Sequence, residues 1–318
     1  MDAIYIENLR KSFGRVQALD GLSMRVEQGT ICGFIGPNGA GKTTTLRVLL
    51  GLLSKDRGSV RLFGDEVVFG REPGRSFGPR RLSYLPQDPV FPERHTGQEV
   101  MELVAGLYRM DPRLAKEHTD ALLEEFHLAD ARKHSVATYS HGMKQRLGLA
   151  TCFLPEPELL VLDEPVSSLD PEGRVEVFDL LRRLKGTATV LFSSHILEDV
   201  ERVCDKLVMI RTGRNIVEGP VEDILSRYAS DSLRIVFRPE DVERAERALA
   251  AMPWVAGISG HPSEAGSPVG IVYLEVKPSA MEAALDGTLV SLVKQGFSVR
   301  EYGRSKTDLE TVFLRLSE

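Results

Sequence analysis

The chain has 318 residues, 40 basic and 46 acidic, giving a formal charge of −6 at pH 7. That balance excludes a protein that coats nucleic acid by bulk charge, and no nucleic-acid partner is expected. With 42% hydrophobic and 27% charged side chains, disorder is excluded and a sizeable core is available. The length allows two domains, or one large domain with an appendage. Cys32, Cys152 and Cys204 form no CxxC pair, which fits a reducing cytosolic interior. No run of 18 or more residues is both apolar and free of charges and breakers, so no membrane span is expected. Met1 to Arg10 lack the basic-then-apolar order of a secretory signal, so a cytosolic chain is expected.

In chain order, apolar alternations from Ala3 to Leu9 and from Leu19 to Val26 flank a polar turn with Ser12 and Gly14, predicting two antiparallel strands. The apolar run Thr30 to Ile35 leads into a glycine-rich turn. Thr43 to Leu50 then carries apolar residues at helical spacing, giving strand, loop and helix. Further strands are predicted from Arg81 to Leu85, Leu159 to Leu162, Thr189 to Phe192 and Lys206 to Ile210, with helix-period segments among them such as Arg174 to Leu184. Alternating strands and helices predict an α/β fold with a largely parallel sheet. Between Pro89 and Pro157 the pattern is helical, as in Gly97 to Met110 and Leu114 to Phe126, predicting a helical lobe inserted into the α/β core. From about Tyr228 another unit begins. Its strands are predicted from Leu233 to Phe237, Ile271 to Val276 and Phe297 to Tyr302, and its helices from Asp241 to Met252, Met281 to Gln295 and Asp308 to Leu316. The predicted organisation is residues 1–227, with the lobe at about 89–157, followed by a small α+β domain at 228–318.

Gly36, Pro37, Asn38, Gly39, Ala40, Gly41, Lys42 and Thr43 satisfy G-x-x-x-x-G-K-[ST] at the strand-to-helix junction where that motif must sit. The glycines let successive backbone N–H groups curl around a phosphate, and the positive end of the following helix points at the same place. Lys42 is expected to reach the β- and γ-phosphates, Thr43 to ligate Mg²⁺, and Thr44 to join the cradle. The buried run from Leu159 to Leu162 ends in Asp163 and Glu164. A buried carboxylate is costly unless it is paired or bound to metal. Asp163 is therefore expected to hold Mg²⁺ through water, and Glu164 to polarise an attacking water. His195, after Ser193 and Ser194, and Gln87, after Leu85, follow the carboxyl ends of other predicted strands, where ligands bind in open α/β folds. Taken singly, a histidine there is more often structural or merely exposed, and Gln87 has the same ambiguity.

Together these motifs resemble the ATP-binding cassette family, the nucleotide-binding subunits of transporters, over about Ala3 to Gly219. The resemblance implies a P-loop NTPase, RecA-like core with an antiparallel β subdomain and an inserted helical lobe, and it implies ATP and Mg²⁺ as cofactors. It makes Gln87 the Q-loop glutamine that senses the metal site, His195 the switch histidine, and Ser168, Leu169 and Asp170 the D-loop. The family's signature, commonly Leu-Ser-Gly-Gly-Gln, reads here Tyr139, Ser140, His141, Gly142 and Met143, followed by Lys144, Gln145 and Arg146. Ser140 and Gly142 are kept. Ser140 can cap a helix whose N-terminus faces a γ-phosphate, and Gly142 leaves room.

In the family this segment completes the site of a second subunit, so a dimer is implied, and one chain with every element present suffices for a homodimer. Phe13 takes the place of the aromatic residue that stacks on adenine. The Tyr-Ser start, the Gly-Met-Lys-Gln-Arg continuation and the closing segment from Asp308 to Leu316 are similar to exporter ATPases of the drug, antibiotic and polysaccharide type, whose permease is a separate chain. The implied function is an exporter ATPase held by its permease at the cytoplasmic face of the membrane, with Glu164, His195 and Gln87 as its catalytic set. An importer ATPase is the nearest alternative. A soluble cassette ATPase acting on ribosomes or DNA would carry two cassettes or a long coiled coil, whereas this sequence has one phosphate loop and no heptad run.

Overall fold

A computed structural model describes residues 1–70, 82–228, 232–261, 269–277, 279–305 and 309–317. It divides into two compact units, Met1–Ile224 and Leu225–Glu318. In the first, β1 (Asp2–Phe13) and β2 (Val16–Glu27) form an antiparallel hairpin closed by Gly14 and Arg15. Gly14, at φ 58, supplies the left-handed backbone such a turn needs. The ladder therefore continues through Ser12, which pairs with Gln17, and both strands outrun their apolar cores. With β4 (Arg57–Leu62) and β5 (Asp65–Glu66) they make a sheet of order β2-β1-β4-β5. The sequence pattern missed β4 because only Val60 and Leu62 of its six residues are buried.

The second sheet has the order β10-β9-β3-β8-β7-β6. Its strands β3 (Ile31–Ile35), β6 (Leu82–Leu85), β7 (Leu159–Asp163), β8 (Thr189–Ser194) and β9 (Lys206–Arg211) are parallel, and β10 (Arg214–Pro220) adds an antiparallel edge. Arg81, the expected start of β6, lies outside the described residues. β3, β7 and β8 are buried along their whole length, which is why they read as continuous apolar runs rather than alternations. One face packs Phe34, Val161 and Leu191 against Leu9 and Met24 of the hairpin and against Leu46 of α1 (Lys42–Leu49). On β3, a Cβ at Gly33 would lie 2.5 Å from Val200 Cγ1, so α6 (Leu197–Val203) rests on bare backbone there.

β6 and β7 are neighbours in the sheet, yet residues 86–158 separate them in the chain. That insertion holds α2 (Gly97–Leu107), α3 (Pro112–Glu125) and α4 (His141–Phe153). Thr96 and Glu99 form a reciprocal capping box on α2, Asp111 caps α3 ahead of Pro112, and Ser140 caps α4. Arg109, at φ 52, lies beyond the end of α2, so that helix stops short of Met110. The chain then runs through β7, α5 (Pro171–Arg183), β8, α6, β9, β10 and α7 (Val221–Tyr228). Register fixes the consequence for function: Ile35 pairs with Ser194, Asp163 with Ser193, and Leu85 with Leu162. The carboxyl ends of β3, β6, β7 and β8 therefore lie along one edge of the sheet.

The second unit contains β11 (Ser232–Phe237), α8 (Val242–Ala250), β12 (Val255–His261), β13 (Gly270–Val276), α9 (Met281–Lys294), β14 (Glu301–Arg304) and α10 (Leu309–Ser317). Its antiparallel sheet has the order β12-β13-β11-β14, the split βαβ arrangement. Leu233, Ile235 and Phe237 pack with Leu249, Leu274 and Leu292 to form its core. The expected strand from Phe297 to Tyr302 requires correction, since β14 begins only at Glu301. Phe297 is buried in the core instead, its ring edge-on to Phe237 at 5.9 Å, after Gly296 at φ 79. β12 escaped the pattern because Gly257 and Gly260 dilute its apolar content and its register shifts between Val255 and Gly257. Asp308, the expected start of α10, lies outside the described residues, while Leu309 and Val312 of that helix are buried.

Candidate functional site

The phosphate loop begins where β3 ends. A Cβ on Gly36 would meet Ile210 O at 2.4 Å, so the loop leaves the sheet against backbone. Gly39 and Gly41 have φ values of 80 and 106, and a Cβ on Gly41 would lie 2.7 Å from both Ala18 O and Leu19 Cδ2. Backbone bonds hold the curl: Ala40 N donates to Pro37 O at 3.1 Å, and Gly213 N donates to Ala40 O at 3.0 Å. No side chain caps α1, whose first N–H groups face the loop with the positive end of the helix.

Lys42 is buried, its Nζ donating to Gly36 O at 2.8 Å and lying 3.4 Å from Glu164 Oε1. The other carboxylate oxygen, Glu164 Oε2, is 2.8 Å from His195 Nδ1. Glu164 thus bridges the loop lysine and the histidine that follows β8. Asp163 is fully buried at the end of β7, where its Oδ1 accepts from Ser193 Oγ at 2.6 Å. Among the described residues, its Oδ2 has no hydrogen-bond partner. Glu164 has left-handed backbone, φ 50, and its N–H donates to the same Ser193 Oγ at 2.9 Å.

A cavity of about 300 Å³ opens over these groups, lined by Lys42, Thr43 and Thr44 of the loop together with Gln87, Glu164 and His195. Pro37, Asn38, Gly39 and Gly41 complete its phosphate-loop wall. Two further lining residues, Ala18 and Ser167, carry no motif of their own. A larger cavity, about 480 Å³, has an apolar lining that includes Leu122, Phe153 and Leu160, and it holds no phosphate-loop residue. The smaller cavity suits a phosphate-bearing ligand with a divalent cation. It combines a glycine-rich loop with a buried lysine and with Glu164, whose chain neighbour Asp163 lies outside the lining and has, among the described residues, no hydrogen-bond partner for its Oδ2. Among the described residues, no three His, Cys, Asp or Glu side chains gather as a metal cage. A cation here would draw on Thr43, Asp163, water and phosphate oxygens, the environment Mg²⁺ prefers.

The remaining expected site residues lie outside that cavity. Ser140 accepts from Met143 N at 3.2 Å at the start of α4. Asp170 accepts from Gly173 N at 3.2 Å at the start of α5 and lies 3.5 Å from Arg146 Nη2. These two helix starts adjoin, since a Cβ on Gly142 would lie 3.3 Å from Ser168 O. Phe13 is 49% exposed at the end of β1, with Lys11 Nζ 5.5 Å from its ring centroid. Arg174 donates to both oxygens of Asp199 at 2.8 and 2.7 Å, tying α5 to the helix that follows His195. Burial pushes the Asp199 carboxyl above its ordinary range, and Arg174 pulls against that rise.

Sequence reasoning named Ser193 only as one of a small pair and placed Gln145 after the signature without a role; Gln145 is buried, and its Nε2 donates to Pro165 O at 2.9 Å. The one local signal for Ser193 was a serine pair closing an apolar run.

Residues 19–167 match the family model for ABC transporters. Over 317 residues the chain is 35% identical to the daunorubicin resistance ATP-binding protein DrrA3 of Streptomyces coeruleorubidus, covering 99% of this chain and 96% of that one. The chain belongs to the ABC transporter family. It is also 36% identical over 242 residues to the Nod factor export ATP-binding protein I of Paraburkholderia xenovorans, covering 76% of this chain and 78% of that one. A solved ATP-binding subunit of an ABC transporter superposes with a TM-score of 0.64 at 30% identity, covering 71% of this chain and 93% of the other. As an ABC ATPase with a P-loop NTPase fold, the chain binds ATP and hydrolyses it to drive transport. ATPase cassettes of this family act as dimers and pair with a transmembrane subunit. Among the described residues, no helix is long and apolar enough to cross a membrane.

Proposed function

We propose that this chain is the motor of an exporter, working as a homodimer against a separate permease chain at the cytoplasmic face of the membrane. Residues 1–227 form the nucleotide-binding domain and residues 228–318 an accessory domain. The observation that carries the reading is the convergence of Lys42, Glu164 and His195 on one cavity, beside Asp163, whose Oδ2 has no hydrogen-bond partner among the described residues. Backbone N–H groups of the loop between Asn38 and Thr44 and the Lys42 ammonium hold the β- and γ-phosphates. Mg²⁺, when bound, supplies charge neutralisation, with Thr43 as ligand and with Asp163 and Gln87 holding its waters.

Lys42 exchanges Gly36 O and Glu164 for phosphate oxygens. That exchange frees Glu164 Oε1 to accept a proton from the attacking water, while His195 orients the carboxylate through Oε2. Ser140 and Gly142 present the start of α4 to the γ-phosphate in the partner's site, with Asp170 at the same seam. Phe13 stacks on adenine. ATP closes the dimer, hydrolysis reopens it, and the permease follows.

Export is supported by the relatives named for daunorubicin resistance and for Nod factor export, and import or a role on ribosomes or DNA is not favoured. Replacing Glu164→Gln tests the mechanism: ATP hydrolysis should fall by about 100-fold or more, while ATP binding persists. Undiminished turnover in that variant removes Glu164 as the base.

A further inference from the structure

We propose that Ser193 is a positioning residue that locks Asp163 and Glu164 together and thereby sets the affinity for the divalent cation bound with the nucleotide. The inference rests on the proposed roles of those two acids. Ser193 lies on β8 directly opposite Asp163 on β7, and it is fully buried. Its hydroxyl has one proton, which it gives to Asp163 Oδ1 at 2.6 Å. Its lone pairs remain available, and one accepts the Glu164 N–H at 2.9 Å. One oxygen atom therefore joins two consecutive residues of the neighbouring strand end.

The two bonds have different effects. Engaging Oδ1 fixes the rotation of the Asp163 carboxylate and leaves Oδ2 as the oxygen without a partner. Accepting the Glu164 N–H secures a residue at φ 50, in the left-handed region that non-glycine side chains seldom occupy. Ser194 does something else: its hydroxyl accepts from Ile196 N at 2.9 Å and closes the local turn before α6. Of the two serines, it is Ser193 that reaches across to the acids. Without that hydroxyl, Asp163 can turn Oδ1 or Oδ2 toward its neighbours, and the Glu164 N–H is left buried without an acceptor.

The test compares Ser193→Ala and Ser193→Thr with the parent chain, using Mn²⁺ as the probe. Each protein is saturated with a non-hydrolysable ATP analogue, and bound Mn²⁺ is read by electron paramagnetic resonance. Metal-free binding of the analogue is measured alongside. Ser193→Ala should weaken Mn²⁺ binding by about 10-fold or more, as expected for loss of an outer partner of a ligand. Metal-free analogue binding should stay at the parent level, and Ser193→Thr, which keeps the hydroxyl, should restore most of the Mn²⁺ affinity.

Parent-level Mn²⁺ binding in a folded Ser193→Ala protein overturns the proposal. So does an equal loss in metal-free analogue binding, because that marks a general structural role. The outcome is separable from that of Glu164→Gln, which reads proton transfer and leaves the Ser193 hydroxyl in place.

Discussion

Two glycines in the phosphate loop differ in a way that predicts different failures. Both have left-handed backbone, Gly39 at φ 80 and Gly41 at φ 106, so an alanine at either should cost about 1 to 2 kcal/mol of stability. The surroundings then separate them. A Cβ at Gly39 meets nothing within 4 Å, whereas one at Gly41 would sit 2.7 Å from Ala18 O and Leu19 Cδ2. Ordinary contact starts at 3.4 Å, so the Gly41→Ala backbone must retreat by about 0.7 Å. Overpacking of that kind adds about 1 to 3 kcal/mol of destabilisation. The same displacement would stretch a phosphate contact from a typical ~2.9 Å to ~3.6 Å, which is no longer a hydrogen bond. Losing one bond to a charged group, about 1.5 to 3 kcal/mol, corresponds to roughly 10- to 100-fold in affinity. Gly39→Ala should therefore lose stability with ATP affinity near the parent value, and Gly41→Ala should lose both. Denaturant unfolding without nucleotide, paired with equilibrium ATP binding, reads the two effects separately. Parent-level ATP affinity in Gly41→Ala would refute the reasoning, as would equal losses of affinity in both variants.

The Arg174–Asp199 clamp predicts a pH signature. Burial raises the Asp199 carboxyl above its ordinary 3.8, so the folded chain keeps that proton to higher pH than the unfolded one. Its contribution to stability thus falls as pH climbs from that value through the folded pKa, then levels off. Arg174→Ala removes the cation that opposes the rise and so lifts the folded pKa further; its deficit against the parent should therefore grow with pH from the parent's folded pKa up to the variant's higher one. The side chains are 28% and 10% exposed, which moderates the neutral-pH loss to about 1 to 3 kcal/mol. Denaturant titrations at several pH values would show a pH-independent difference if this account of Asp199 is wrong. The cysteines give a simpler readout. Burial pushes the Cys32 and Cys152 thiols up to about 12 and the Cys204 thiol well above its ordinary value. A thiol reagent at mildly alkaline pH should leave Cys32 and Cys152, both buried, unmodified in the folded chain and label all three cysteines after unfolding, and rapid labelling of Cys32 or Cys152 in the native protein contradicts that burial.

Much of the site was legible because phosphate chemistry demands particular residues at fixed spacing. Gly36 to Thr43 must be contiguous to form a loop, and Asp163 and Glu164 stand out as charges ending an apolar run. Parallel strands then brought Gln87, Glu164 and His195 to one edge, as strand-end positions imply. What stayed hidden depends on register between distant segments. Ser193 acts on Asp163 from 30 residues away, and nothing local announces that pairing. The proximity of Gly142 to Ser168 O likewise follows from how the inserted helices sit, beyond any periodicity. In the second unit, Phe297 looked like strand because Phe297 and Val299 alternate with polar residues, yet its burial against Phe237 comes from the core.

The most direct test of the transport-motor reading is co-purification with candidate membrane proteins encoded beside this chain, followed by Mg-ATPase measurement on the isolated complex. The account predicts a stable complex with one of them, turnover stimulated by that partner, and loss of the stimulated rate in Glu164→Gln. No membrane partner, with turnover answering instead to ribosomes, DNA or a soluble protein, would contradict it.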